Sequence, residues 1–240
     1  MSLLDLIRDD TLNLDMGAFF LHKTLTNSSF LTAANPSGTG KTTLMGALLG
    51  LLKPEVRIET IENSVEEVEE GKKGEPISNR EIRYLIHEIG SGPYYSYIWG
   101  EQVGEFFGLA KNESIASCMH ADTLEEMKDI LFSPPLNVEE ADFNEVDLIL
   151  FMRKRGGLRD PLRRVSHVYE RGKDRHRLIF RWREKGDCFE RRNLPQILET
   201  EGKEGKRRLK VYRDFLEEEL HAGVERIEEL RGDLLEFLKR

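Results

Sequence analysis

One short stretch of the sequence has the residue types that a protein needs to hold a chain of phosphate groups. It reads Asn35-Pro36-Ser37-Gly38-Thr39-Gly40-Lys41-Thr42-Thr43. Glycines let the backbone turn tightly and approach a ligand where a Cβ would collide. The N–H groups of such a loop can converge on phosphate oxygens, while Lys41 reaches the β- and γ-phosphates and the Thr42 hydroxyl binds Mg²⁺. All nine residues are therefore predicted nucleotide contacts.

The segments on either side of this loop support the same chemistry. Residues 30–34 form an apolar run typical of a buried strand, and apolar residues recur over 44–52 as in a helix. Strand, glycine loop, Gly-Lys-Thr and helix make up the P-loop arrangement, with the positive end of the helix facing the phosphates. An ordinary βα turn would leave Lys41 unexplained, since a cation at a helix start is unfavourable. Asn35 stands where the full pattern has glycine, and asparagine tolerates left-handed backbone angles well.

Polar side chains follow three further predicted strands. They are Glu62 after residues 56–61, Glu101 after the aromatic run 94–99, and His120 after residues 114–119. Ligands of open parallel sheets lie at the carboxyl ends of the strands, so all three are expected to face the same crevice as the P-loop. Phosphoryl transfer needs carboxylates for water or magnesium and a polar group near the γ-phosphate. Glu62, Glu101 and His120 are therefore the predicted catalytic residues, and Thr42 and Glu101 the predicted metal ligands.

Each of these residues also has a plainer interpretation when it is taken alone. Glu62 lies in an acidic run, 62–70, which is typical of a solvated surface segment. His120 by itself would more often be a packed or surface histidine. Their order, each at the end of a strand, is what favours a shared site.

The remaining segments predict an α/β fold with a mainly parallel central sheet. Residues 3–24 have helical spacing, and the capping box Ser78-x-x-Glu81 predicts a helix to about residue 89. Residues 146–152 are the most apolar run and a predicted central strand. Charged and apolar residues then alternate as in an antiparallel meander, and two amphipathic helices follow. The predicted units are a nucleotide-binding core at 1–155, a β extension at 156–200 and a helical appendage at 201–240.

Charge is unevenly distributed along the 240 residues. The net charge is −8, which divides into −15 over residues 1–150 and +7 over 151–240. Such asymmetry can indicate contact with nucleic acid, acidic lipid or an acidic partner, or attraction between two halves. The basic residues of 153–192 alternate with apolar ones, which favours solvated strand faces and makes nucleic-acid binding the less favoured interpretation.

The sequence contains few signals of a cellular compartment or of contact with a membrane. The two cysteines, Cys118 and Cys188, have no metal-like spacing and are expected to be reduced. No apolar run approaches the ~20 residues of a membrane span, and no basic segment precedes an apolar one at the start. The sequence therefore predicts a cytoplasmic protein that is not inserted into the membrane.

Taken in order, the motifs resemble the type II and type IV secretion-system ATPases, specifically the archaeal branch that serves pili and archaella. Residues 35–43 resemble the Walker A motif of that family, 61–66 its acidic box, 99–101 its Walker B motif ending in Gly-Glu, and 119–123 its His box. Residues 133–138, 147–153 and 178–182 are similar to downstream segments of the archaeal branch. The helices at 3–24 and 205–240 are similar to those that flank the ATPase domain.

The resemblance implies a RecA-like domain that binds ATP and Mg²⁺ and hydrolyses ATP within a ring, usually a hexamer of one chain. Such a ring works at the cytoplasmic face of the membrane against a membrane-embedded secretion or pilus platform protein. Lys41 would bind phosphates, Thr42 would bind Mg²⁺, and Glu101 would orient or activate water. Glu62 would support the metal or the water, and His120 would contact the γ-phosphate side.

Three functional interpretations remain. The first is an ATPase that drives conformational change in a secretion or pilus-assembly machine. The second is an ATP-binding regulatory or assembly subunit without catalysis, because residues 90–93 and 102–104 contain none of the arginines that the family has there. The third, a P-loop kinase or GTPase, is disfavoured because the sequence lacks a guanine-recognition motif and an arginine-rich lid.

Overall fold

A mixed β-sheet organises the part of the chain that this computed structural model describes, namely residues 1–35, 37–61, 82–90, 92, 97–157 and 161–239. Ten strands belong to it within those ranges. They are β1 (Phe30–Ala33), β2 (Arg57–Thr60), β3 (Ile82–Leu85), β4 (Glu88–Ile89), β5 (Tyr97–Ile98), β6 (Ser114–Met119), β7 (Leu148–Arg155), β8 (Leu162–Arg171), β9 (His176–Arg183) and β10 (Cys188–Arg191).

The sheet has a parallel part and an antiparallel part. The order is β10-β9-β8-β7-β1-β6-β3-β2, and the short β4 pairs with β5 and β6. Every pair from β7 through β1 and β6 to β2 is parallel, whereas β7, β8, β9 and β10 are antiparallel neighbours. The predicted mixed α/β fold, with a mainly parallel sheet and a following meander, is confirmed.

Helices cover both faces of this sheet. They are α1 (Leu3–Arg8), α2 (Leu14–Leu25), α3 (Lys41–Leu49), α4 (Gln102–Leu109), α5 (Leu124–Phe132), α6 (Glu140–Phe143), α7 (Gln196–Thr200), α8 (Lys203–Ala222) and α9 (Ile227–Phe237). Side chains alternate along a strand, so Leu148 and Leu150 join one core while Ile149 and Phe151 join the other. The first core contains residues of α1, α2, α3, α8 and α9, and the second those of α4, α5 and α6.

One predicted element differs in kind from the observed one. The capping box predicted a helix to about residue 89, but residues 82–89 form β3 and β4. Tyr84 is fully buried, and β3 is hydrogen-bonded on both sides, by β2 and β6. The prediction was wrong because strand pairing in the sheet overrides a local capping signal. The capping residues Ser78 and Glu81 themselves lie outside the described residues, as do positions 93–96 of the predicted aromatic strand.

Ion pairs account for much of the charge in the meander. Arg171 pairs with Glu145 at 2.7 Å and Arg183 with Glu190 at 2.8 Å. These contacts agree with the interpretation that the basic residues lie on solvated strand faces beside acidic partners. Within the described residues, no helix has both the length and the apolar character needed to cross a membrane.

A buried ion pair joins the helical segments to the meander. Lys23 Nζ of α2 lies 2.7 Å from Glu170 Oε1 of β8, and the Glu170 side chain is fully buried. The other carboxylate oxygen of Glu170 accepts a hydrogen bond from the backbone N–H of Gln196, at the start of α7. One carboxylate therefore connects α2, β8 and the chain that leads into the last helices.

Replacing Glu170 with alanine should lower the free energy of unfolding by about 3 kcal/mol, because Lys23 is left as an unpaired buried cation. Urea denaturation followed by circular dichroism measures this loss. Glu145→Ala is the matched control, since its partially exposed pair with Arg171 contributes at most about 1 kcal/mol. Equal losses in the two variants would contradict the role assigned to the buried carboxylate.

Candidate functional site: the P-loop and a buried carboxylate

The glycine loop has the backbone geometry of a phosphate cradle. Gly38 and Gly40 have φ angles of 74° and 101°, and α3 begins at Lys41 directly after Gly40. The backbone angle of Gly40 favours glycine, and a Cβ there would also lie close to Met152 Cε, at 3.2 Å. Apart from the two neighbouring residues in the chain, no atom of the described residues lies within 4 Å of the Cβ position of Gly38, which leaves room for a ligand there. The loop thus presents the N-terminus of a nine-residue helix to solvent.

The Lys41 ammonium group is the centre of a charged cluster. Its Nζ lies 3.1 Å from the Ala34 carbonyl oxygen, 3.4 Å from Glu88 Oε1 and 3.3 Å from His120 Nδ1. His120 Nε2 lies 2.8 Å from the same Glu88 oxygen. Lys41 and Glu88 are buried, whereas the His120 side chain is 42% exposed. A cation, a carboxylate and a solvent-accessible imidazole therefore converge beside the loop.

Three strand ends bring these groups together. Ala34 follows β1, Glu88 is in β4, and His120 follows β6. Pairing of β1 with β6 and of β4 with β6 fixes their positions relative to one another. Tyr97 of β5 stands opposite Glu88, and a hydrogen bond from its hydroxyl to the carboxylate is the main cause of the raised pKa of Tyr97. Lys41 Nζ and His120 Nδ1, both expected at this edge of the sheet, thus lie 3.3 Å apart.

Glu88 is the site residue that the sequence reasoning missed. It was placed in a predicted helix, so it was not counted among the residues at strand ends. The signal was present, because Tyr84-Leu85-Ile86 is an apolar run with strong strand propensity that leads to a carboxylate two residues later. That pattern matches the one from which Glu101 was selected.

Asn35 is held by the segment that follows β6. Its backbone N–H donates to Asp122 Oδ1 at 2.9 Å, and its side-chain amide donates to Glu126 Oε1 at 3.2 Å. His120 Nδ1 lies 2.7 Å from the Asn35 carbonyl oxygen. Glu126 also accepts from the Asp122 backbone N–H at 2.7 Å. Asparagine at this position therefore connects the start of the glycine loop to residues 120–126.

Asn35 does not use the left-handed backbone conformation that asparagine tolerates. Among the described non-glycine residues, positive φ angles occur at Asp10, Asn27, Asn137 and Asp187, and Asn35 is not one of them. Asn35 instead makes a side-chain hydrogen bond to Glu126, which glycine could not make.

A polar layer lies under the loop. The Thr32 hydroxyl is 3.0 Å from Cys118 Sγ and 3.4 Å from the Lys41 carbonyl oxygen. Burial raises the pKa of the Cys118 thiol to about 11, so this cysteine stays protonated and unreactive. The Thr32 hydroxyl, in contact with the Cys118 thiol, thus donates a hydrogen bond to the first residue of α3.

The other predicted site residues occupy several environments. Thr42 is exposed in the first turn of α3, as a magnesium ligand must be, and Thr43 is partly exposed. Ser37 is exposed, whereas Thr39 is buried and its hydroxyl has no hydrogen-bond partner in the described residues.

Glu101 is exposed at the start of α4, and within the described residues no hydrogen bond or ion pair joins it to the Lys41 cluster. Pro36 and Glu62 lie outside the described residues.

The donor set fits a magnesium ion that is held chiefly by phosphate oxygens. Within the described ranges, no group of three or more His, Cys, Asp and Glu side chains could hold a metal ion. Magnesium retains several waters and takes one or two protein ligands plus substrate phosphates, which the exposed Thr42 hydroxyl beside the open loop can complement. ATP with Mg²⁺ is thus compatible with these residues.

Comparisons with known proteins give a structural likeness but no family match. No protein-family model and no curated protein matches the sequence. Among solved structures, the chain is similar to the VirB11 ATPase from the Brucella suis type IV secretion system, crystallised in complex with sulphate. The two are 20% identical with a TM-score of 0.47, over 70% of this chain and 54% of that chain. This chain thus spans about half the length of that ATPase chain, and so distant a likeness assigns no family.

Glu88→Ala should destabilise the nucleotide-free protein by about 3 kcal/mol, because it leaves the buried Lys41 ammonium without its carboxylate. Glu101→Ala should change the free energy of unfolding by less than about 0.5 kcal/mol, since the side chain is exposed. Urea titration of the two variants beside the wild type measures the difference. A larger loss for Glu101 than for Glu88 would contradict the arrangement of the cluster.

Proposed function

We propose that the chain binds a nucleoside triphosphate with Mg²⁺, most simply ATP, and hydrolyses it. The observation that carries this proposal is the convergence of Lys41, Glu88 and His120 beside a glycine loop at the start of α3. A packed core rarely needs a lysine at a helix start, a glutamate in a short strand and a histidine after another strand in contact with one another. Phosphoryl transfer needs such groups, together with an open helix N-terminus.

The roles of these residues follow from their chemistry. The loop N–H groups and the Lys41 ammonium would bind the β- and γ-phosphates, and the Thr42 hydroxyl would bind Mg²⁺. Magnesium, when bound, would neutralise charge on the phosphate oxygens. A carboxylate would orient the attacking water and accept its proton as the bond between the γ-phosphorus and the β–γ bridging oxygen breaks. His120, half in solvent, would contact the γ-phosphate side.

Three carboxylates are candidates for the water-orienting role. Glu88 is favoured by geometry, because its Oε1 lies 3.4 Å from Lys41 Nζ. Glu101 and Glu62 are favoured by the resemblance of their motifs to those of secretion ATPases. Glu88 is bound to both Lys41 and His120, so a nucleotide would have to compete for the lysine before this carboxylate could act.

The machine in which the chain works is proposed from its motifs. We infer a RecA-like ATPase of the secretion or pilus-assembly type, active in a homo-oligomer, a hexamer by resemblance, beside a membrane-embedded platform protein at the cytoplasmic face. The engagement of Glu88 with Lys41 also suits a second function, an ATP-binding regulatory subunit that does not turn over. The two functions differ in one measurable quantity, the rate of phosphate release.

Steady-state ATP turnover with Mg²⁺ should be abolished in Lys41→Ala and lowered about 10²-fold or more in Glu88→Gln, since a positioned base contributes that much. Glu101→Gln is the paired variant: a larger loss there would transfer the role to Glu101. Phosphate release is measured across protein concentration, and a rate per chain that rises with concentration would indicate assembly. Tight ATP binding with no turnover at any concentration would refute the enzyme and leave the regulator.

A further inference from the structure

A cavity of about 570 Å³ adjoins the P-loop on the side away from the charged cluster. Its lining includes Leu6, Asp9, Gly40, Thr43, Met152 and Arg163. Lys41, Glu88 and His120 do not line it and contact one another instead. The volume lies in the range of sites for small ligands, which is roughly 300–1,000 Å³.

The far wall of this cavity is held firmly in place. The Arg164 side chain is buried, and its guanidinium makes two hydrogen bonds to the Asp187 carboxylate, at 2.9 and 2.8 Å. The same side chain donates to the Asp9 carbonyl oxygen at 3.2 Å, and the Val165 N–H donates to the Thr11 carbonyl oxygen at 2.7 Å. The connection between α1 and α2 is therefore fixed to β8, so the cavity is formed before any ligand binds.

Arg163 stands between the cavity and the loop. Its Nε donates to the Gly38 carbonyl oxygen at 3.1 Å, and its Cδ lies 3.4 Å from the Cβ position of Gly40. Its two terminal nitrogens bond to no residue in the described part of the chain. A guanidinium that is anchored through Nε and free at its outer edge presents two parallel donors, which suit a phosphate group.

We propose that this cavity receives the nucleoside half of the triphosphate and that the outer nitrogens of Arg163 bind its α-phosphate. The proposal rests on the proposed function, because the proposed contact of Lys41 with the β- and γ-phosphates sets the direction in which the triphosphate would lie. That lysine reaches the β- and γ-phosphates, so the phosphate chain runs from the Lys41 cluster past Gly40 and Thr43 toward the cavity. The ligand class is therefore a whole nucleotide, recognised through its α-phosphate and its base, and not a bare phosphate chain.

The affinity test uses calorimetric titration of ATP with Mg²⁺ into four proteins. Arg163→Ala should weaken binding at least about tenfold, as expected for loss of charged hydrogen bonds to a phosphate. Arg163→Gln keeps a donor for the Gly38 carbonyl but no charge, and it should weaken binding to a similar extent. Arg153→Ala, an exposed arginine on β7, is the control and should bind as the wild type does.

The outcomes separate this proposal from the proposed function. Wild-type protein that binds no ATP would refute the proposed function itself. Wild-type protein that binds, with an unchanged Arg163→Ala variant, would overturn the role of Arg163 alone. Restoration of full affinity by glutamine would show that Arg163 only supports the loop, which also overturns the α-phosphate contact.

Photolabelling locates the base independently of Arg163. The wild-type protein is irradiated with 8-azido-ATP and Mg²⁺, digested, and the modified peptides are identified by mass spectrometry, with excess ATP as the competition control. We expect ATP-sensitive label within residues 1–12 or 161–165, which line the cavity or adjoin it. ATP-sensitive label confined to other segments would place the base elsewhere and overturn the assignment of the cavity.

Discussion

The need to pair the buried Lys41 ammonium group constrains the whole site. A buried cation without partners is costly, so its acceptors must be in place when the chain folds. They are the Ala34 carbonyl after β1 and the Glu88 carboxylate in β4, and the His120 ring after β6 lies beside them, 3.3 Å from Lys41 Nζ. A change in the register of β1 against β6, or of β4 against β6, would separate them. The pairing of the strands therefore determines whether the buried charge of Lys41 has its partners.

The same requirement connects the glycine loop to the segment 120–126. His120 bridges Glu88 and the Asn35 carbonyl, while Asp122 and Glu126 hold Asn35 through its backbone and side-chain nitrogens. A ligand that displaces the Glu88 carboxylate from Lys41 would also alter the partners of His120. Through Asn35, that change would reach the first turn of α5, where Glu126 lies. The proposed nucleotide would thus be connected to α5 through the hydrogen bond of Asn35 to Glu126.

The sequence was informative wherever a local pattern decides the structure. The glycine loop predicted the left-handed residues Gly38 and Gly40, and the apolar runs predicted β1, β6 and β7. The alternation of charged and apolar residues predicted the antiparallel meander. His120 was predicted to join the Lys41 site because it follows a parallel strand. In each case the chemical preference is carried by a few neighbouring residues.

The sequence-based predictions failed where contacts between residues far apart in the sequence determine the structure. Glu88 was assigned to a helix from a capping signal, but β5 and β6 pair with its segment, β4, as strand. The role of Asn35 also depends on Glu126, which is 91 positions away, so backbone preference alone gave the wrong reason. Arg163 was counted only as a charge on a strand face, since its hydrogen bond to Gly38 spans 125 positions. Such contacts follow from the topology of the sheet.

The P-loop thus lies between two different environments. On one side are the closely paired charges of Lys41, Glu88 and His120, where an anion is stabilised but little space remains. On the other side is a preformed cavity with partly apolar walls, closed by the connection between α1 and α2 and by β8. An elongated ligand, anionic at one end and apolar at the other, satisfies both environments at once, whereas phosphate alone would leave the cavity unused. These two adjoining environments, more than the glycine motif by itself, are what support the proposed nucleotide as the ligand.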